Sequence, residues 1–347
     1  MRTRTGLRLA AAGLILAGAC SACSRGDSES AEPPTAGTTT SSTSTTEPPT
    51  TTTLPPTTAP TTTVPAVQGL AATSAKVVVS SAGIVLPVLG KDGDAVLVST
   101  PCGRTASLKK GKPANGTVVL DAGHGGVEPG AVGPAGLTEK DLNLNVTMHA
   151  AQALAAAGYE VVQTRPRDYR VTLEARAKIV SALKPRAFVS IHHNAEPDGP
   201  RPEGPGAETY YQTVGSSVAE SKRLAGIIYE EVVRALSQYQ GVTWVADRDA
   251  GAKYRKSASG DDYYGILRRT QGTPATLAEL GFISNAPEEA LYAKPEVQQV
   301  EGEAVARGIV RFLTTKDAGS GFVEPYPRET PAGGGGGASN CVDPPLE

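Results

Sequence analysis

An α/β fold, with helices flanking a twisted and mostly parallel sheet, is what this sequence predicts, and three observations predict it. From Thr117 onward, β-branched runs alternate with helix-like runs, and strand–helix–strand repetition means parallel pairing with right-handed crossovers. The first helical run places Leu142, Val146, Ala150 and Leu154 four residues apart, an apolar stripe suited to lie on a sheet. Glycine and proline fall where these runs end, Gly158 after the first helix and Pro185 before a strand, as helix stops require.

The chain before this domain divides into three. Residues 1–23 read as an export signal: Arg2, Arg4 and Arg8 are followed by a short apolar stretch from Leu9 to Ala17, too short to remain as a membrane span. The segment resembles a bacterial lipoprotein signal. Cys20, after Ala17-Gly18-Ala19, is the candidate for lipid attachment and Cys23 the alternative, although the usual Leu three residues before the cysteine is absent. Residues 24–66 are dominated by Thr, Pro and Ser. Nothing there builds a core, so a semi-rigid tether is expected. Residues 67–116 contain short runs such as AKVVVSS and DAVLVS between Gly, Asp and Pro, which read as hairpins of a small β appendage packed on the main domain.

Within residues 117–316 the elements are expected in order: strand VVLD, helix DLNLNVTMHAAQALAAA, strand YEVVQT, helix TLEARAKIVSAL and strand AFVSI. Later come strands ETYYQT and ATLAEL, with helices across SKRLAGIIYEEVVRAL and VQQVEGEAVARGIVRFL. Residues 317–347 end in a Gly-rich stretch read as a flexible tail. Cys102 and Cys341 stand near the two ends of this folding region. In an oxidising compartment they are candidates for one disulfide clasping the tail to the domain.

Net charge is −2, from 33 Lys+Arg against 35 Asp+Glu. Such a balance has no bulk field to attract a polyanion, which argues against a nucleic-acid partner. A monomer is expected.

Ligands of open α/β sheets gather beyond the carboxyl ends of the strands, and polar clusters fall there. VVLDAGHGG puts His124 in a Gly-rich turn after a strand, SIHHNA puts His192 and His193 at another strand end, and ATLAELGFISN puts Glu279 at a third. GLTEKDLNL starts the first long helix with Glu139. Singly, each has an ordinary structural explanation; a carboxylate at a helix start favours the helix dipole. Of four histidines, however, three lie in these clusters. Two imidazoles and a carboxylate make a catalytic zinc set with one position left open, and a further carboxylate then serves as base. His149 sits ten residues along the helix from Glu139, about 15 Å away, and is assigned a structural role. Successive strand residues point to opposite faces, so only one of His192 and His193 binds a given ion; periodicity does not choose between them.

Together LDAGHGG, GLTEKDLNL, SIHHNA, GAETYY and ELGFISN resemble, in family order from Thr117 to about Thr314, the zinc N-acetylmuramoyl-L-alanine amidases of the amidase-3 family. The resemblance implies a mixed six-stranded sheet, a zinc cofactor held by His124, Glu139 and His192, and Glu279 as the catalytic carboxylate. It implies peptidoglycan as the partner, and hydrolysis at the cell envelope of the amide joining N-acetylmuramic acid to L-alanine. Ala122 stands where relatives often carry Pro. His193 and Arg268 are candidate substrate contacts, and Arg165, Arg176 and Glu208 either meet peptide-stem carboxylates or hold the fold. Some relatives carry an autoinhibitory helix; the stretch from Trp244 to Gly265 is expected as a loop near the site, with no blocking role assigned. Two rival readings stay open: a zinc peptidase acting on wall stem peptides, and a non-catalytic wall-binding protein of the same fold.

Overall fold

The computed structural model describes residue 70 and residues 73–195, 206–242, 250–324 and 336–347. The export signal, the linker, Cys20, Cys23 and Trp244 lie outside the described residues.

The appendage is a five-stranded antiparallel sheet in the order β4-β3-β2-β1-β5. Its strands are β1 (Val77–Ser80), β2 (Val85–Asp92), β3 (Ala95–Ser99), β4 (Thr105–Leu108) and β5 (Gly111–Ala114). Its interior is not self-contained. Val78, Ile84, Leu86, Val96, Val98 and Leu108 pack with Tyr169, Val171 and Ala175 of the main domain. A sheet this small exposes one face unless another element covers it, and the main domain supplies that cover.

The main domain is built from β6 (Val118–Ala122), α1 (Glu139–Ala156), β7 (Val161–Gln163), α2 (Leu173–Leu183), β8 (Ala187–Asn194), β9 (Glu208–Tyr211), α3 (Val218–Leu236), β10 (Gly251–Lys253), α4 (Gly265–Arg269), β11 (Ala275–Phe282), α5 (Ala286–Tyr292) and α6 (Pro295–Thr314). Its six-stranded sheet runs β10-β9-β11-β8-β6-β7. All neighbours are parallel except β9 and β11, so the sheet is mixed, as expected.

One face carries α1, α3 and α6, where the predicted stripe Leu142, Val146, Ala150 and Leu154 is fully buried against Val118, Leu120, Val189 and Ile191. On the other, Val119, Phe188, Tyr210 and Leu277 meet Ile179 and Val180 of α2 and Ile266 and Leu267 of α4. Thr172 caps α2 by accepting from the Ala175 amide, and α1 ends at Gly158 with φ +85°. His149 is half-buried on α1, with α6 passing so close that a Cβ on Gly302 would sit 2.5 Å from the His149 Cβ. That agrees with a structural role. No helix among the described residues is long and apolar enough to cross a membrane.

The expectation of a flexible tail over residues 317–347 is corrected in its described parts. Phe322 bridges to Ala252 beside β10. Residues 341–347 lie on the appendage, where Cys341 is disulfide-bonded to Cys102 with Cα atoms 5.6 Å apart. Asp343 accepts from Thr100 Oγ1, the Cys102 amide and Arg104 Nη1. Composition alone misleads here because a covalent bond and a set of hydrogen bonds to Asp343 replace the missing apolar core.

Candidate metal centre

The site lies where β6, β8 and β11 end and α1 begins. After β6 the chain leaves the sheet through Gly123-His124-Gly125-Gly126. His124 itself adopts φ +60°, followed by Gly125 at +130° and Gly126 at +58°. A left-handed non-glycine residue persists only where its surroundings hold it, and two buried arginines do so. Arg165 donates Nε to Ala122 O and Nη2 to Gly123 O and Lys140 O. Arg176 donates Nη1 to Ala122 O and Nη2 to His124 O, and pairs with Asp121. Burial pushes the Asp121 carboxyl up, but Arg176, Thr164 and Ser190 outweigh it and hold the group below its usual value. Of the two roles open to Arg165 and Arg176, the structure shows the second: they hold the fold.

Glu139, the first residue of α1, is almost completely buried and fixed at both oxygens. Oε2 accepts from the Ala131 amide at 2.8 Å, and Oε1 from Asn143 Nδ2 at 3.2 Å and the His193 amide at 3.3 Å. His124 Nε2 lies 3.1 Å from Oε2 and His192 Nδ1 2.9 Å from Oε1. The two rings meet edge to face with centroids 5.0 Å apart, and one donor atom from each of the three residues falls within 4.8 Å of the others. The His192 ring lies over Gly123, where an added Cβ would sit 2.2 to 2.5 Å from its atoms.

Burial lowers the His124 basicity, but the carboxylates of Glu139 and Glu128 outweigh it and raise the imidazole to about 9. Burial likewise pushes Glu139 up, while the two imidazoles hold it well below the usual carboxylate range. His192 is lowered, chiefly by burial. A buried carboxylate must be neutralised, and the ion pairs of Glu139 among the described residues are to these imidazoles alone. Two imidazole nitrogens and one carboxylate around a common point fit a divalent zinc ion with an open position.

Glu279 is buried on β11, in register with His192 of β8 on one side and Glu208 of β9 on the other. Paired residues share a face of the sheet, so Glu279 stands on the side of His192. Glu208 accepts from Asn194 Nδ2, Tyr210 Oη and Lys253 Nζ at 2.8 to 2.9 Å, which ties β9 to β8 and to the edge strand β10.

His193 as a substrate contact is corrected. Its side chain points to the helix-covered face and is fully buried, with Nδ1 2.8 Å from Asn143 Oδ1 and Nε2 3.3 Å from Glu301 Oε1. Arg268 donates Nη1 to Asp262 O and Tyr263 O, bracing the turn into α4. Asn143, Glu128, Arg165 and Arg176 all shape the site, yet the sequence assigned no such role to the first two. The Gly-rich turn hinted at inward-facing carbonyls; nothing in the spacing named their distant donors.

The Amidase_3 family, described as N-acetylmuramoyl-L-alanine amidase, matches residues 118–311. The chain is 37% identical over 213 residues to the uncharacterized protein YqiI of Bacillus subtilis (strain 168), covering 61% of this chain and 90% of that protein. It is 30% identical over 219 residues to the germination-specific N-acetylmuramoyl-L-alanine amidase of the same organism, covering 59% and 83%. Among solved structures, Cwp6 from Clostridium difficile matches with a TM-score of 0.50 and 30% identity over 58% of this chain and 30% of that one. With the match spanning the sheet, the His124 loop, Glu139, the β8 histidines and Glu279, the chain belongs to the amidase-3 family of N-acetylmuramoyl-L-alanine amidases.

Proposed function

We propose that the protein hydrolyses the amide between N-acetylmuramic acid and L-alanine in peptidoglycan, using a zinc ion held by His124, Glu139 and His192 and Glu279 as general base. The observation that carries this reading is convergence. Three donor groups from a loop, a helix start and a strand end lie within 4.8 Å, and a fourth, carboxylate-bearing position is one strand away in register. When bound, zinc supplies Lewis acidity toward the scissile carbonyl and the attacking water.

The chain's own residues do the rest. Glu139 is held rigid by Ala131, Asn143 and the His193 amide, so its carboxylate does not swing as charge develops. Arg165 and Arg176 fix the turn that presents His124. Glu279 takes the proton of the attacking water and returns it to the departing L-alanine nitrogen. The export signal and the Thr/Pro/Ser linker support action outside the cytoplasmic membrane, the linker spacing the domain from an anchor at Cys20 or Cys23. The chain acts as a monomer.

Digestion of purified peptidoglycan tests the reaction. Mass spectrometry is expected to find intact stem peptides beginning with a free L-alanine amino group, beside glycan strands stripped of peptide. Fragments cut within the stem would replace the amidase reading by the peptidase one. Release unaffected by a chelator would remove zinc from the mechanism.

A further inference from the structure

We propose that Glu128 is a positioning residue for His124 and that the disulfide-clasped C-terminal segment, residues 336–347, sets the position of Glu128. The inference rests on the metal-centre reading above and extends it from the ligands to what orients them.

Glu128 lies four residues beyond His124 in the same turn, closed by Gly125 N to Glu128 O at 3.0 Å and Glu128 N to Gly125 O at 3.1 Å. Its Oε1 stands 3.8 Å from His124 Nδ1, the ring nitrogen opposite the one facing Glu139. Metal-binding imidazoles are commonly oriented by a carboxylate at their second nitrogen, and Glu128 is the carboxylate placed to orient this one.

The same Oε1 accepts from the Gly336 amide at 3.1 Å, and Oε2 lies 3.6 Å from Arg170 Nη1. Arg170 Nη2 donates to Gly337 O, and the Leu173 amide to Gly336 O. Gly336 has φ +85°, and a Cβ there would strike Leu173 at 2.5 Å, so the segment meets α2 at a point only glycine fits. Five residues on, Cys341 is bonded to Cys102. Asp343 receives three donors from Thr100, Cys102 and Arg104. Leu346 packs on the appendage core, and Glu347 accepts from the Lys109 and Lys110 amides. A continuous chain of contacts thus runs from the appendage through the tail to the imidazole. The appendage gains a role from this, as the anchor for the segment that steadies Glu128.

The test uses full-length protein in five forms: wild type, Glu128→Gln, Glu128→Asp, the pair Cys102→Ser with Cys341→Ser, and Glu128→Gln combined with that pair. Zinc affinity is measured by chelator competition, with thermal unfolding of each form recorded in parallel. Glu128→Gln is expected to weaken zinc binding about 10- to 100-fold while its unfolding temperature stays close to wild type. The cysteine pair is expected to weaken zinc binding in the same direction by about 3- to 10-fold, less than Glu128→Gln, and a cysteine pair that binds zinc as tightly as wild type overturns the role given to the tail. The combined form should bind no more weakly than Glu128→Gln, because the tail acts through Glu128. Glu128→Asp should recover part of the loss. Unchanged zinc affinity in a folded Glu128→Gln protein overturns the proposal, as does a combined loss equal to the product of the separate ones. Wild type that binds no zinc overturns the metal-centre reading itself, a different result from wild type that binds zinc with the Glu128 variants matching it.

Discussion

Glu279 stands beside His192 in the sheet register but is not one of the three converging donor groups, so its removal separates chemistry from metal binding. Glu279→Gln is expected to lower kcat by about 10²- to 10⁴-fold with zinc content, measured by elemental analysis, unchanged. A variant that retains wild-type turnover excludes Glu279 as the base. The protonation of His124 gives a second test. In the metal-free protein its imidazole is raised from 6.5 to about 9. The stabilisation it gives is therefore complete below pH 6.5 and is lost as pH rises through about 9. Glu139 has the opposite sign: lowered below 4.5, it stabilises above that value and loses its contribution on acidification. Zinc must displace the His124 proton, so affinity measured by chelator competition should climb as pH rises from 6.5 to 9. A flat profile across that range would contradict the assignment of His124 as a ligand. At this scale the three converging groups were legible from three short motifs, those of His124, Glu139 and the β8 histidines. Periodicity did not choose between His192 and His193, because alternation says only that the two diverge, and the family resemblance supplied the choice; the helix face that claims His193 is assembled from Asn143 and Glu301, 50 and 108 residues away.

The elements position those residues through close approaches that one methyl group would disturb. Gly123 follows β6 directly beneath the His192 ring, and a Cβ there would fall 2.2 Å from Cε1 and 2.3 Å from Nε2. The backbone at Gly123 is pinned, since Gly123 N donates to Ile191 O and Gly123 O accepts from Arg165. Gly123→Ala is expected to cost about 1–3 kcal/mol of stability from overpacking. A displaced ligand should lower kcat about 10²-fold. A steady-state assay beside a urea titration checks both, and a variant with native kcat would show that the His192 ring is free to move. The long elements were readable because their periodicity repeats: α1 by its four-residue stripe, β8 and β11 by their apolar runs. Three short ones, β10, α4 and α5, were not assigned, having three, five and seven residues, too few for a period to show. The antiparallel insertion of β9 beside β11 was equally hidden from local sequence, since β-propensity marks a strand without naming its partner or direction.

Across the whole molecule, the Cys102–Cys341 bond joins positions 239 residues apart and so encloses the main domain and part of the appendage in one covalent loop. Cross-linking over such a span restricts the unfolded chain, an effect of about 2–4 kcal/mol in typical cases. The main-domain core does not depend on it: the α1, α3 and α6 face is built from residues 118–312 without either cysteine. The appendage does, because its strands lean on Tyr169, Val171 and the tail residue Leu346 for cover. Replacing both cysteines by serine is therefore expected to lower the urea midpoint by an amount worth about 2–4 kcal/mol. Loss should begin at the appendage, so amide exchange in β2 and β3 should accelerate before that in β6 or β8. Uniform acceleration across both sheets would mean that the two unfold as one cooperative unit. Exchange unchanged in the appendage would mean that Asp343, Leu346 and Glu347 hold the tail without the covalent bond.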